Sequence, residues 1–164
     1  MSLFGKNARI AIISENRYEW MVTHFAALLG AGLSVPLDKG LSKAEIASLL
    51  QRSGANCIVF SASYAEMIKE ISESGNCSVE EFICMDEGTS FKSFKSFIAE
   101  GQALIETGNT SFKEVKTNPD ELAVMLFTSG TTSRSKAVIL SQRNFLSNIY
   151  GMCRCQKFYE TDVN

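Results

Sequence analysis

Residues 10–28 read IAIISENRYEWMVTHFAAL, an apolar run followed by a segment of helical spacing. The first four residues are apolar and mostly β-branched, which favours a short buried strand. After four polar residues, Tyr18, Met21, Phe25 and Leu28 recur at intervals of three and four, the spacing of one helix face. The stretch therefore predicts a strand that leads directly into a helix.

The same alternation continues along the chain. Further apolar runs of strand length occur at Leu33–Leu37, Cys57–Phe60, Phe82–Met85, Leu122–Phe127 and Ala137–Leu140. Helical spacing recurs between them, at Ile46–Leu50, Tyr64–Ile71 and Phe91–Ile98. Strand–helix–strand repeats with short connections form right-handed crossovers onto a parallel sheet. We therefore predict an α/β fold with a mostly parallel sheet and helices on both faces, and a long connection over Gly101–Pro119.

Three of these helices begin with the spacing of a capping box, in which a polar side chain and a later carboxylate each bond an unpaired backbone N–H group. The predicted pairs are Asn16 with Glu19, Ser42 with Glu45, and Ser63 with Glu66.

Composition excludes several classes of protein. The 164 residues carry a formal net charge of -2, so nothing indicates a nucleic-acid partner. No apolar run approaches the ~20 residues of a transmembrane helix, and the start Met1-Ser2-Leu3 does not resemble a secretory signal. The five cysteines lack a disulfide or zinc spacing, which indicates reduced thiols and a cytoplasmic location.

A hydroxyl-rich segment follows the strand at Leu122–Phe127. Residues 128–135 read TSGTTSRS, and all but Arg134 are Ser, Thr or Gly. Small hydroxyl residues with exposed backbone N–H groups can surround phosphate oxygens, and Lys136 adds a positive charge at the end of the segment. The sequence here is typical of a phosphate-binding loop between two strands.

Two other interpretations of this segment were weighed. A Walker A loop is excluded, because Ser135 stands where its second glycine belongs and Ala137 follows the lysine. A Walker loop also opens a helix, whereas the residues after Lys136 continue as an apolar strand. A Ser/Thr-rich surface hairpin without a ligand stays open on composition alone.

Residues 128–144, TSGTTSRSKAVILSQRN, resemble the signature TSGTTGxPKGVxL[ST]HxN of the adenylate-forming (AMP-binding) superfamily. Arg9–Trp20 and Gly32–Asp38 resemble the N-terminal region of bacterial long-chain fatty acid–CoA ligases. Together these resemblances cover most of residues 9–148. They imply part of the N-terminal subdomain of an acyl-CoA synthetase-like fold.

In that family a carboxylate attacks the α-phosphate of ATP, giving an acyl-adenylate and pyrophosphate, and the thiol of CoA then displaces AMP. The resemblance implies ATP and Mg²⁺ as cofactors, CoA as co-substrate and a fatty acid as substrate. It assigns no catalytic residue within this chain and one tentative Mg²⁺ contact, Thr128. The residues that it assigns to the ATP phosphates are Thr128, Ser129, Gly130, Thr131, Thr132 and Lys136.

The chain departs from the signature at Ser133 (glycine), Ser135 (proline), Ala137 (glycine) and Gln142 (histidine). It is also far shorter than the several hundred residues of the family. We therefore expect an inactive fragment of a ligase, with residues 1–3 a remnant of an expression tag, residues 4–164 a partial AMP-binding domain, and the rest of the polypeptide as its partner. The alternatives are a non-catalytic α/β module and an adenylating enzyme that loads a carrier protein.

Other residues are interpreted as structural. His24, the only histidine, lies in the first helical segment without an acidic or nucleophilic partner in sequence, so we predict a structural histidine. Trp20 and the phenylalanines at 91, 94 and 97 are predicted to pack in the core, and Asp38 and Asp86 to end strands.

Overall fold

The computed structural model describes residues 8–75, 77–128, 135–157, 159 and 161. Within them, seven strands form one sheet in the order β5-β4-β3-β1-β2-β6-β7. All neighbouring strands are parallel except β6 and β7, which form an antiparallel pair. The strands are β1 Arg9–Ile13, β2 Leu33–Pro36, β3 Cys57–Phe60, β4 Glu81–Cys84, β5 Lys92–Ser93, β6 Leu122–Thr128 and β7 Lys136–Ser141.

Five α-helices accompany the sheet: α1 Tyr18–Ala26, α2 Lys43–Ser53, α3 Ala65–Glu73, α4 Phe94–Glu106 and α5 Gln142–Cys155. A π-helical turn, Ala27–Ala31, extends α1, and short 3-10 turns lie at Ala62–Tyr64 and Ser111–Glu114. Inside the π-helical turn Gly30 has a φ of 112°, a conformation that a residue with a Cβ rarely adopts.

Alternate residues of the central strands face two separate apolar layers. Ala11 and Ile13 of β1 join the layer that contains Leu50 of α2 and Ile68 of α3. Ile10 and Ile12 join the opposite layer, which contains residues of α1, its π-helical turn and α4. Because side chains alternate across a strand, one apolar run fills both cores. The predicted mostly parallel sheet with helices on both faces is confirmed.

The strand predictions are also confirmed, with ends shifted by at most one residue. The two-residue strand β5 was not predicted, because Lys92–Ser93 carries no apolar signal. The predicted connection over Gly101–Pro119 was wrong at its start, because α4 continues to Glu106. Its apolar spacing and the absence of a proline let the helix run past Gly101.

One of the three predicted capping boxes is present. Ser42 and Glu45 bond each other's backbone N–H groups at the start of α2. The other two predictions were wrong. Glu19 is bonded to Arg17, which itself precedes α1. Ser63 lies inside a 3-10 turn, where its hydroxyl bonds Ser61.

A capping box that the sequence analysis missed opens α5. There Ser141 and Asn144 bond each other's backbone N–H groups. The prediction required Glu or Gln at the fourth position, and asparagine performs the same bond with a shorter side chain.

The side of the sheet formed by β7 and α5 is the least covered. No residue of Gln142–Cys155 is buried, although the helix is amphipathic. Exposed large hydrophobic side chains on the two elements are Val138, Ile139, Leu146, Ile149, Tyr150 and Met152. Among the residues that the structure describes, no helix has both the length and the apolar character needed to cross a bilayer.

Candidate phosphate-binding site

The strands β6 and β7 bring Thr128 and Lys136 together. The two residues are directly paired across the antiparallel ladder, where the chain enters and leaves the intervening residues. Both are exposed, so the hydroxyl and the ammonium group are accessible to a ligand. Four of the predicted phosphate-binding residues, Ser129, Gly130, Thr131 and Thr132, lie outside the described residues, as do Ser133 and Arg134.

The position of this pair follows from the burial of β6. Ala123, Val124 and Met125 are buried beside β2, whereas Thr128 at the end of the strand is exposed. Because β6 is parallel to β2, Thr128 is placed at its carboxyl end, beyond the buried part of the sheet. Parallel sheets commonly bind ligands beyond the carboxyl ends of their strands.

Arg52, in the last turn of α2, contacts both sides of the hydroxyl-rich segment. Its Nη1 donates to the Ser135 hydroxyl at 3.2 Å, and its Nη2 donates to the Ser135 carbonyl at 2.7 Å. Its guanidinium carbon lies 5.4 Å from the centre of the Phe127 ring, within the range of a cation–π contact. Arg52 was not predicted as a site residue, because an arginine in a helical segment gives no sign of a partner 83 positions away.

Gln142 stands where the family signature has histidine. Its Nε2 donates to the carbonyl of Leu28 in the π-helical turn, so the first residue of α5 is tied to the extension of α1. The amide acts here as a donor to the backbone, and no hydrogen bond joins it to Thr128 or Ser135, the two residues of the hydroxyl-rich segment that the structure describes. Its contact is therefore structural.

A charged network lies where β1, β3 and β4 end. Arg17 donates to Glu19 at 2.7 Å and to Asp86 at 2.9 Å. The bond from Arg17 lowers the pKa of Glu19, and the Ala62 N–H, which donates to Asp86 at 2.7 Å, is the main cause of a lowered pKa of Asp86. Since these carboxylates already have partners, the network ties the strand ends together.

A cavity of about 340 Å³ lies elsewhere in the fold. It is lined by residues at the amino ends of three strands, among them Arg9, Leu33 and Leu122, and by Gly30 and Gln142. Its lining includes neither Thr128 nor Lys136. The cavity is therefore separate from the Thr128–Lys136 pair.

The residues present suit Mg²⁺ only in part. The Thr128 hydroxyl supplies one oxygen, the kind of ligand that Mg²⁺ takes. Among the described residues, no group of three or more His, Cys, Asp or Glu side chains could hold a metal ion. A Mg²⁺ at this site would therefore take most of its ligands from the phosphates of a nucleotide and from water.

A family model described as AMP-binding enzyme matches residues 4–163. The chain belongs to this family of AMP-binding enzymes. It is 28% identical over 145 residues to a long-chain-fatty-acid–CoA ligase of Mycobacterium bovis, covering 87% of this chain and 24% of that protein. It is 22% identical to fatty acyl-CoA synthetase B of Dictyostelium discoideum, covering 96% of this chain and 24% of that protein.

Solved structures confirm the fold. The long-chain-fatty-acid–CoA ligase of Archaeoglobus fulgidus superposes with a TM-score of 0.78 at 22% identity, over 98% of this chain and 30% of that protein. The family match over residues 4–163 confirms the resemblance to the adenylate-forming (AMP-binding) superfamily. The chain spans about a quarter of the length of the curated relatives described above.

His24 packs as a structural residue, as predicted. It is 7% exposed, and its Nδ1 shares a hydrogen bond of 2.8 Å with the Ser34 hydroxyl in β2. Its ring stacks on Trp20 at a centroid distance of 5.0 Å and meets the edge of Phe145. The bond to Ser34, a polar residue in an otherwise apolar strand, was not predicted.

Burial of the ring lowers the pKa of His24 below its ordinary value of 6.5. As the pH falls below 6.5, the unfolded chain therefore takes up a proton before the folded chain does, and the free energy of unfolding decreases. The decrease is limited to about 1.4 kcal/mol per pH unit for one group. We expect urea denaturation midpoints to fall between pH 7.5 and 5.5.

The His24→Gln variant should show a flatter dependence in the same pH window, because no other histidine is present to titrate there. A variant as steep as the parent chain would assign the pH dependence to other groups.

Proposed function

We propose that this chain is part of an AMP-forming fatty acid–CoA ligase, with long-chain fatty acids as the substrate class. The main support is the match of residues 4–163 to the AMP-binding family, together with relatives named as long-chain-fatty-acid–CoA ligases. ATP, Mg²⁺ and CoA are the cofactor and co-substrates that this proposal requires.

In the proposed reaction the fatty acid carboxylate attacks the α-phosphate of ATP. The bond from the α-phosphorus to its bridging oxygen breaks, pyrophosphate leaves, and an acyl-adenylate forms. The sulfur of CoA then attacks the acyl carbon, the thioester forms, AMP leaves, and the thiol loses its proton. Mg²⁺ would neutralise part of the phosphate charge.

This chain would contribute phosphate binding. Thr128, the first residue of the hydroxyl-rich segment, and Lys136, which follows its last residue, are paired on adjacent strands. A fixed positive charge and fixed donors stabilise negative charge on a transferring phosphoryl group. The contribution of Ser129, Gly130, Thr131 and Thr132 belongs to the same proposal.

The rest of the reaction would depend on further polypeptide. Relatives are about four times as long as the matched region. The exposed apolar residues of β7 and α5 form a surface that such polypeptide would cover. The isolated 164 residues are accordingly proposed to be inactive, and a cytoplasmic location is part of the same proposal.

The test is ATP–pyrophosphate exchange by the longest natural protein that contains this chain. We expect Mg²⁺-dependent exchange that rises with fatty acids of increasing length, and acyl-CoA formation when CoA is added. Absence of exchange with every carboxylate would contradict the ligase proposal and favour a non-catalytic module. Exchange without thioester formation would indicate a carrier protein as the acceptor.

A further inference from the structure

Arg52 is the described side chain that reaches both ends of the hydroxyl-rich segment. The chain enters this segment after Phe127 and leaves it at Ser135, and the Arg52 guanidinium contacts both residues. We propose that Arg52 is a positioning residue that holds the two ends of this segment. Only the purpose of that positioning, phosphate binding, rests on the proposed function.

The helix that carries Arg52 is firmly attached to the core. Leu49 and Leu50, in the preceding turn, are 4% and 1% exposed. The carbonyl of Ser53 accepts a bond from Arg9 of β1, and Gly54 ends the helix in a left-handed conformation with its N–H bonded to the last turn. The backbone at Arg52 is therefore held in place relative to the sheet, so the side chain can restrain the residues that it contacts, Phe127 and Ser135.

The contact at Ser135 uses the geometry of the guanidinium group. Two of its N–H groups reach two different atoms of one residue, the hydroxyl and the carbonyl oxygen. Two bonds in a planar fork restrict the orientation of Ser135 more than one bond from a lysine would. Phe127 lies in β6, whereas Ser135 directly precedes β7, so the Arg52 side chain contacts both arms of the β6–β7 hairpin.

Ser135 is also the position at which the family signature has proline. A proline ring fixes φ near −65° from within the residue, whereas serine leaves the backbone freer. The bonds from Arg52 restrict the same residue from outside. Arg52 thus supplies a restraint at the one place where this sequence has lost the restraint of a ring.

Hydrogen exchange of the 164-residue chain, measured by mass spectrometry without nucleotide, tests this proposal. In the Arg52→Ala variant we expect the amides of Thr128 and Lys136, which pair at the end of the β6–β7 ladder, to exchange about tenfold faster, the size of one lost charge-assisted hydrogen bond. The thermal unfolding midpoint should stay within about 2 °C, because the side chain is exposed. Lys43→Ala, which removes an exposed charge from the same helix, should leave these amides unchanged.

A second variant separates a restraint on the segment from a general effect on stability. Adding Ser135→Pro to Arg52→Ala should return exchange at Thr128 and Lys136 to within about threefold of the parent chain, because the ring restores the restraint on φ. Unchanged exchange in Arg52→Ala, or equal acceleration in Lys43→Ala, would overturn the proposal. So would a failure of Ser135→Pro to slow exchange in the Arg52→Ala chain.

Nucleotide binding is measured separately on the same substitutions made in the longest natural protein that contains this chain, with Mg²⁺-ATP as the probe. We expect weaker binding in Arg52→Ala and recovery in the double variant. If no chain binds Mg²⁺-ATP, parent included, the proposed function loses its support in this segment. The exchange rates still decide whether Arg52 holds the two ends.

Discussion

Replacing Phe60 with alanine should lower the free energy of unfolding by about 3–5 kcal/mol. Phe60 ends β3, is fully buried, and is the largest fully buried side chain among the described residues. Its ring meets the edge of the Phe91 ring at a centroid distance of 5.1 Å. Alanine would remove the apolar contacts of the ring and leave a cavity that α2 and α3, packed on the same layer, can fill only in part.

Urea denaturation followed by circular dichroism measures this change. Phe112→Ala is the matched control, because Phe112 is 56% exposed, and its loss should change stability by no more than about 0.5 kcal/mol. Equal effects of the two substitutions would show that the layer beneath α2 and α3 is not the stable core of the fold.

The second large effect is expected on catalysis by the longest natural protein that contains this chain. Lys136→Ala should lower kcat/KM for ATP–pyrophosphate exchange by about a hundredfold, the size reported for losing one group that stabilises transition-state charge. Lys136 is exposed and paired with Thr128, so its charge is available to the phosphates and its loss leaves no buried cavity. Lys136→Arg retains the charge and should keep activity within about tenfold of the parent protein.

The control for this experiment is Lys69→Ala, which removes an exposed charge from α3. It should leave the exchange rate unchanged. If Lys136→Ala exchanges pyrophosphate as fast as the parent protein, Lys136 has no part in phosphate binding, even if the ligase activity itself is present.

Much of the fold could be predicted because its signals are local. The apolar residues of β1 serve both cores, so a short β-branched run followed by helical spacing was sufficient to locate strand and helix. Helix starts were less predictable. The Asn16 and Ser63 boxes had the correct spacing, but other side chains already bond their members. The correct spacing makes a capping bond possible, but the side chains that lie nearby in the fold determine whether the bond forms.

Part of the candidate site could likewise be predicted from local sequence, and part could not. Thr128 and Lys136 were identified from the signature of the family, and the antiparallel pairing of β6 with β7 brings them together. Arg52 and the Arg17–Asp86 pair were not predicted, because the partners are 83 and 69 positions apart in sequence. The bond between His24 and Ser34 spans only 10 residues, yet it depends on how α1 crosses β2.

The pairing of β6 with β2 has a consequence for the order in which the molecule forms. The pairs β1–β2, β1–β3 and β3–β4 join residues 24 to 47 positions apart, such as Arg9 with Leu33 and Ile10 with Cys57, whereas Val124 of β6 pairs with Ser34 of β2 across more than half of the chain. Closing a longer span loses more chain entropy, so such pairing is slow. During synthesis β1 to β4 are also made before β6, because the chain grows from its N-terminus. We therefore expect the hairpin with the phosphate-binding candidates to pair with the sheet after β1 to β4 have paired with one another.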